Sequence, residues 1–410
     1  MPWKVTCVMD MRRELVEEWL SGTWSVAELG RCYGISRKTV YKWLERYAEE
    51  GEAGLADRSR APLHQPNAVA PAVENAILAA RRKHPTWGPR KLRRRLERVG
   101  APGALPATST IGEILRRHGL VERRRTRSHA TPSASPLGHC QAVNQVWCAD
   151  FKGWFRTGDG ERCDPLTIMD AHSRYLIRCQ AMTPATDGEA ARGVFEAAFR
   201  EFGLPAAIRT DNGPPFASTG LGGLSRLSVW WLRLGIRLER IRPAKPQDNG
   251  RHERMHRTLK AETAAPPRHS LRAQQRAFDA FRREYNEERP HEAIALETPG
   301  SLYHPSPRPY PERLPAAPSY PDDWPIRRVR GCGQMKWGGR DVQVTAALVG
   351  EAVGLEPVEK GVWNVFFGPL WLGVFDERKG QVRRPKKEDK SEFIALPTVQ
   401  LTTKRAEPVD

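Results

Sequence analysis

Apolar positions in the first fifty residues recur at three- and four-residue spacing, which predicts helices rather than strands. Met11, Leu15, Val16 and Trp19 mark one helix, Ser25 caps a second running through Tyr33, and Ser36 caps a third running through Tyr47. Leu29, Ile35, Val40 and Trp43 supply the wedge between the last two. Gly30 is small enough to let them approach, and Gly34 suits a left-handed turn. Residues 1–56 are therefore expected to form a helix-turn-helix domain. Its third helix would present Arg37, Lys38, Thr39 and Lys42, side chains suited to phosphates and base edges in a DNA major groove. After a polar, Pro-containing connector from Asp57 to Pro71, further helical runs fall at 72–84, 88–99 and about 109–118. Thr110 and Glu113 have capping-box spacing, and Gly119 stands where a C-cap would.

The period changes from about Asn144. Val146 to Phe155, Pro165 to Ala171 and Tyr175 to Met182 read as strands, separated by Gly158-Asp159-Gly160 and His172-Ser173 turns. A helix (187–202), a short strand (206–210), a helix (224–234), a strand (236–241) and two helices (about 249–262 and 270–287) follow. Pro299 to Pro325 holds nine prolines in 27 residues and reads as an extended linker. Beyond it, Arg327 to Phe375 alternates with Gly punctuation, as a small antiparallel barrel at 326–380 would. The tail at 381–410 is charged and expected to be disordered.

Composition narrows the function classes. At 410 residues the chain is long enough for two to four domains, and 39 % hydrophobic content argues against wholesale disorder. A net charge of +18 points to a polyanionic partner. Residues 81–127 alone carry fifteen Lys or Arg against three Asp or Glu, and 123–136 reads as a basic, unpatterned linker. Here Arg90, Lys91 and Arg94 are the candidate DNA contacts of a second helix-turn-helix domain expected at 70–122. Seven cysteines without a C-x-x-C pair suggest reduced, buried thiols, and His139-Cys140 with Cys148 is a poor match to a metal cluster. The first ten residues lack an apolar core, and Val362 to Phe375 is too broken and short to span a bilayer. A soluble cytoplasmic protein, nucleoid-associated when bound to DNA, is expected.

Three acids then stand out by their settings. Asp150 lies in Val146-Trp147-Cys148-Ala149-Asp150, Asp211 in Arg209-Thr210-Asp211-Asn212-Gly213, and Glu253 in Asn249-Gly250-Arg251-His252-Glu253-Arg254. Two follow strands, and the third sits in a basic helical run with Arg251, Arg254, Arg257 and Lys260. His252 is placed with that basic face, and Asn249, His256 and Arg257 beside Glu253. Carboxylates suit Mg²⁺ or Mn²⁺, which prefer oxygen ligands and keep several waters. Two such ions about 3.5–4 Å apart activate an attacking oxygen and stabilise a leaving one. Clustered acids without metal should repel and raise one another's pKa. Each acid has an ordinary alternative: Asp211 before Asn-Gly makes a turn, and Glu253 pairs with Arg257 at i+4. Asp170 is read as part of a strand turn and Asp248 as a helix N-cap.

Taken together, these motifs resemble those of the DDE transposases and retroviral integrases, and more narrowly insertion-sequence transposases with an integrase-type core behind helix-turn-helix modules. The resemblance implies a multidomain chain: all-α modules, an α/β ribonuclease H-like core at 140–298 and a small C-terminal β-barrel. It implies that Asp150, Asp211 and Glu253 hold divalent ions, two per site, for cleavage of DNA strands and joining of 3′-OH ends to target DNA. Double-stranded DNA and other copies of the chain are the partners it implies. Glu253 lies 42 positions after Asp211, and Ser218 to Gly223 can loop out the excess. Loss of an acid would have favoured a non-catalytic DNA-binding regulator, whereas a plain nuclease would need less recognition apparatus.

Overall fold

The computed structural model describes residues 7–59, 68–121, 137, 139–241 and 250–386. The chain divides into two compact units, Met1–Val69 and Ala70–Asp410. In the first, α1 (Val8–Leu20), α2 (Val26–Cys32) and α3 (Arg37–Glu50) surround Leu15, Val16, Leu29, Val40, Trp43 and Leu55. Ser25 accepts from Glu28 N–H while the Glu28 carboxylate accepts from Ser25 N–H, closing a capping box. Ser36 caps α3 through Thr39 N–H at 3.1 Å. Gly34 takes the left-handed turn at φ +63°, and a Cβ on Gly30 would stand only 3.0 Å from the Ile35 carbonyl oxygen. Met11 and Trp19, expected inside, are 44 % and 42 % exposed. The place beside Trp43 is taken by Arg12, whose guanidinium lies 3.8 Å from the ring centroid and donates to the Leu55 carbonyl.

The larger unit begins with α4 (Pro71–Lys83), α5 (Pro89–Val99) and α6 (Thr108–Arg117), joined over Val73, Ile77, Leu92, Leu96, Ile111 and Leu115. The Thr110–Glu113 capping box does not form. Helix α6 has its N-cap three residues earlier, at Ala107, and Glu113 pairs with Arg116 instead. Gly119 does take a left-handed conformation just past that helix, at φ +67°.

A mixed sheet follows. Strands β1 (Val146–Phe151), β2 (Phe155–Arg156), β3 (Arg162–Asp170) and β4 (Leu176–Met182) pair antiparallel on β3, whereas β5 (Ala207–Thr210) and β6 (Arg237–Arg240) run parallel to β1 and to each other. The main order is β4-β3-β1-β5-β6. Alternation along β1 sends Trp147 and Ala149 to one face, where α7 (Gly188–Phe202) and α8 (Arg226–Arg233) bring Phe195, Phe199, Trp230 and Trp231. The other face is covered by α9 (Gly250–Thr263) and α10 (Leu271–Arg283), with Met255, Leu259, Phe278 and Phe281 against Met169, Leu176 and Cys179. A mixed sheet with helices on both faces is consistent with the ribonuclease H-like order.

The Pro-rich segment differs from a free linker. It opens with a helical turn, α11 (Pro299–Leu302), and then lies along the core as a strap. Tyr303 stacks on Tyr175 at 4.3 Å and donates to Asn144, while Arg308 donates to the carbonyls of Pro205 and Leu234. Prolines hold the chain extended, and the tyrosines and Arg308 between them supply the attachment. Beyond the strap, β7 (Ile326–Arg328), β10 (Ala352–Glu359), β11 (Val362–Phe367), β12 (Leu370–Asp376) and β13 (Gln381–Arg383) form one antiparallel sheet. Strands β8 (Gln334–Trp337) and β9 (Arg340–Gln343) make a separate hairpin. Leu224 and Val229 enter the apolar core of these strands, and Arg233 pairs with Glu351 at 2.7 Å. The C-terminal strands are thus docked on α8 of their own chain, so the segment before them is not a tether of 27 free residues. Arg383, placed in the tail from sequence, belongs to β13. The remaining tail from 387, the linker at 123–136 and the Asp248 and Asn249 assignments lie outside the described residues.

Candidate active site

Register brings two of the three acids together. Strands β1 and β5 are parallel with Val146, Trp147 and Cys148 opposite Ala207, Ile208 and Arg209. Asp150 lies two residues beyond the last of these pairs on β1 and Asp211 two residues beyond it on the neighbouring segment, and the Asp211 charge acts on Asp150. Asp211 begins the turn after β5, where its carboxylate accepts from Gly213 N–H at 3.2 Å. Arg240 braces the same turn by donating to Thr210 Oγ1 and to the Phe216 carbonyl.

Glu253 comes from α9. That helix buries His252, Met255, His256, Leu259 and Thr263, a stripe at three- and four-residue spacing. Glu253, Arg257 and Lys260 consequently fall on an exposed stripe beside it. Asp150 feels the charges of the other two acids. Asp150 is pushed up to about 7, first by burial and then by the charges of Asp211 and Glu253, which outweigh its backbone hydrogen bond and Lys152. Among the described residues no three His, Cys, Asp or Glu side chains are gathered closely enough to hold a metal ion. The acids are therefore coupled without being closed into a cage, as like charges in a partly desolvated place should be. The donor set nevertheless suits a hard divalent cation, since all of it is carboxylate oxygen.

One supporting group escaped the sequence reading. Thr167 lies opposite Asp150 across β1 and β3, and its hydroxyl donates to the Asp150 carbonyl at 3.0 Å. A hydroxyl donates once and accepts twice. The two acceptor positions take Nε2–H of His252 at 2.6 Å and of His256 at 2.7 Å. Both imidazoles are neutral: burial pushes His252 down to about 3, and burial with its neighbour holds His256 well below the ordinary histidine range. The His256 Nδ1 to Asp150 Oδ2 separation of 3.9 Å is accordingly no ion pair. This corrects the placement of His252 on a basic face and of His256 toward DNA. The i,i+4 spacing of the two histidines, shared with Met255 and Leu259, was the available signal for a buried face. Thr167→Val should destabilise the protein by roughly 3 kcal/mol, because two buried imidazole donors and one carbonyl lose their partner. Denaturant unfolding would read this, and a loss below about 0.5 kcal/mol would contradict it.

The basic residues divide into two groups. Arg37, Lys38 and Lys42 are exposed on α3, while the Thr39 hydroxyl is engaged with Ser36 at 2.9 Å. Arg90 is exposed, as are Arg254, Arg257 and Lys260. Arg94, by contrast, is paired with Glu297, and Arg95 with Glu288 at 2.7 Å. Lys91 is half-buried, and Arg251 donates to the Ala171 carbonyl at 2.9 Å. Asp170 is fully buried and accepts from the backbone N–H groups of Asn144 and Ser173, in keeping with its reading as a turn residue.

Comparison with known proteins agrees with this architecture. Family models described as a helix-turn-helix domain and a homeodomain-like domain match residues 11–62 and 39–115. Two integrase core domain models match residues 141–246 and 234–299. An insertion element IS407 protein of 31.7 kDa from Burkholderia multivorans is 30% identical over 262 residues, which are 62% of this chain and 90% of that protein. The Gag-Pol polyprotein of baboon endogenous virus is 41% identical over 70 residues, 17% of this chain and 4% of the polyprotein. Among solved structures, the HTLV-2 integrase catalytic core domain in complex with magnesium is 17% identical, with a TM-score of 0.32 over 40% of this chain and 99% of that one. A chain of the simian T-cell lymphotropic virus intasome in complex with PP2A regulatory subunit B56 gamma gives 18% identity and a TM-score of 0.34 over 72% of this chain and 97% of that one.

The modules and the core domain define a protein of the integrase-core class with helix-turn-helix domains at its N-terminal side. Within that class, the chain belongs to the insertion-sequence transposases with an integrase-like core, on the strength of the core models and the IS407 relative.

Proposed function

We propose that this transposase binds the ends of its mobile element, cleaves a DNA strand there by hydrolysis and joins the freed 3′-OH to target DNA. The observation that carries the reading is that Asp150 on β1 is raised, after burial, by the charges of Asp211, from the turn after β5, and of Glu253, from α9. In this reading all three are metal ligands for Mg²⁺ or Mn²⁺. When bound, the ions supply an activated oxygen nucleophile and neutralise charge on the phosphorus oxygens. The chain's own part is to hold the carboxylates. The β1–β5 pairing fixes two of them, Thr167 fixes the backbone at Asp150, and the apolar stripe of α9 fixes Glu253. No residue need form a bond to DNA.

The exposed α3 cations, Arg90, the half-buried Lys91 and the α9 residues Arg254, Arg257 and Lys260 are assigned to DNA contact, with Arg251 and Arg94 reaching it once their present partners yield. Two ends must be joined to one target, so the active species is an oligomer on DNA. The shared core of the two C-terminal sheets supports a small barrel-like module as part of it. The direct test is incubation of the full chain with duplexes carrying the element's terminal sequence and Mg²⁺. Nicked and then joined products support the reading; unselective degradation would indicate a nuclease, and binding alone a regulator.

A companion measurement addresses end recognition. Arg37→Ala and Lys42→Ala should each weaken end binding without metal, and each should reduce the salt slope by about 1 if the lost contact is a phosphate. Unchanged affinity and slope in both would remove α3 from the interface.

A further inference from the structure

Beside α9, on the side turned to α5, lies a cavity of about 280 Å³ with an unusual wall. Lys91, Arg174, Arg251, Arg254 and Arg289 line it, with Glu292 as the single carboxylate among the described residues of its lining. Elsewhere along the same junction the fold neutralises its cations. Arg94 has Glu297, Arg95 has Glu288, and Arg289 itself has Glu262 at 2.7 Å. Lys91, Arg174 and Arg254 have no ion pair or side-chain hydrogen bond among the described residues. The Arg174 Nε is buried without a partner, in a residue held at φ +68° by the turn after β3. His291 on the same wall donates to the Tyr285 carbonyl and is kept neutral by burial and by Lys91 and Arg289. Lys91 is pulled down to about 8 by burial and by Arg289, against the opposing pull of Glu292 and Glu262.

Unpaired cations around one cavity repel, and the arrangement lasts only because the sheet, α9 and α5 over-determine it. A bound anion removes that cost and meets several donors at once. We propose that this cavity is a phosphate-binding pocket for the DNA strand that runs past the candidate acids. This rests on the transposase reading above. Arg251, Arg254 and Thr258 point to the cavity from α9, whereas Glu253 lies on a different side of that helix. A helix is about 10 Å across, which along a duplex is roughly three base-pair steps. The pocket would thus grip the strand a few phosphates from the reacting one, and Lys91 would tie the second helical module to that grip.

The test uses the full chain carrying Lys91→Gln with Arg174→Gln, and separately Arg254→Gln, whose side chain is exposed and tolerant. Affinity for an element-end duplex should fall at least about tenfold, and the salt slope should become shallower by about two for the double variant. The DNA-free double variant should melt several degrees higher than the wild type, since like charges have been removed. Inorganic phosphate should raise the melting point of the wild type and leave the double variant unmoved. Duplexes with and without a 5′-phosphate separate the sources: equal losses assign the pocket to internal backbone phosphates, and a loss only with the 5′-phosphate assigns it to the strand end. A lower melting point with unchanged duplex affinity would overturn the pocket and make these residues structural. If the wild type cleaves and joins normally while the variants bind as it does, the pocket falls and the transposase reading stands. If the wild type responds to phosphate and binds no duplex, the DNA assignment falls with that reading.

Discussion

Asp150→Asn, Asp211→Asn and Glu253→Gln are each expected to reduce strand cleavage by at least about 10³-fold while leaving end binding within about threefold. A metal-held transition state is favoured by several kcal/mol, and each 1.4 kcal/mol is a factor of ten. Every substitution removes an anionic oxygen ligand with little change of shape. Binding should survive because the cations proposed to meet DNA lie on α3, α5 and α9 and are untouched by these substitutions. The measurement is product formation on an end duplex in Mg²⁺, paired with a binding assay in its absence. Cleavage near the wild-type rate by any one variant would remove that residue from the site. Equal loss of binding and cleavage would instead indicate that the fold had been damaged.

Without metal, Asp150→Asn should also stabilise the protein. The sign follows from linkage. The folded-state pKa of Asp150 lies at about 7, above the ordinary 3.8, so the unfolded chain ionises first as pH rises. Between those two values stability is progressively lost, and above pH 7 the full cost is present. At 1.36 kcal/mol per pH unit the cost is roughly 2–4 kcal/mol at neutral pH, and asparagine removes it. The variant should therefore melt higher than the metal-free wild type at pH 7.5, with the gap closing toward pH 4. Magnesium should shrink the same gap by stabilising only the wild type. At pH 7, metal binding to the wild type should release roughly half a proton from this carboxyl. A variant that melts lower across the whole range, with no proton release in the wild type, would show that Asp150 neither strains the empty site nor meets the ion.

Much of this was legible in the chain. Ser25 with Glu28, Ser36 and Gly34 are local signals, and each formed what its chemistry demands because caps and turns depend on a few adjacent residues. Strand and helix order from Val146 to Arg283 was legible for the same reason, since alternation and helical periodicity report which side of each element is buried. The settings of Asp150, Asp211 and Glu253 were visible too, though not that Asp150 and Asp211 are aligned by the register of β1 on β5. Local signals also misled. Thr110 and Glu113 have capping spacing, but the helix had already begun at Thr108 and Arg116 took the carboxylate.

What the sequence alone determined is the kind of element at each place and the supply of charge and carboxylate. What only the tertiary structure decided is which groups meet. Basic residues look alike in a sequence, yet Arg94 faces Glu297, Arg254 faces a cavity and Arg257 faces solvent. Nine prolines reveal an extended path but not the tyrosines' binding surface on the core. Two histidines in a basic run read as charge until the fold buries them, which keeps them neutral, against Thr167, 85 and 89 positions away in the chain, which accepts from both. The physical reason is common to all three: pairing energies depend on distance and burial in space, and sequence separation carries no information about either.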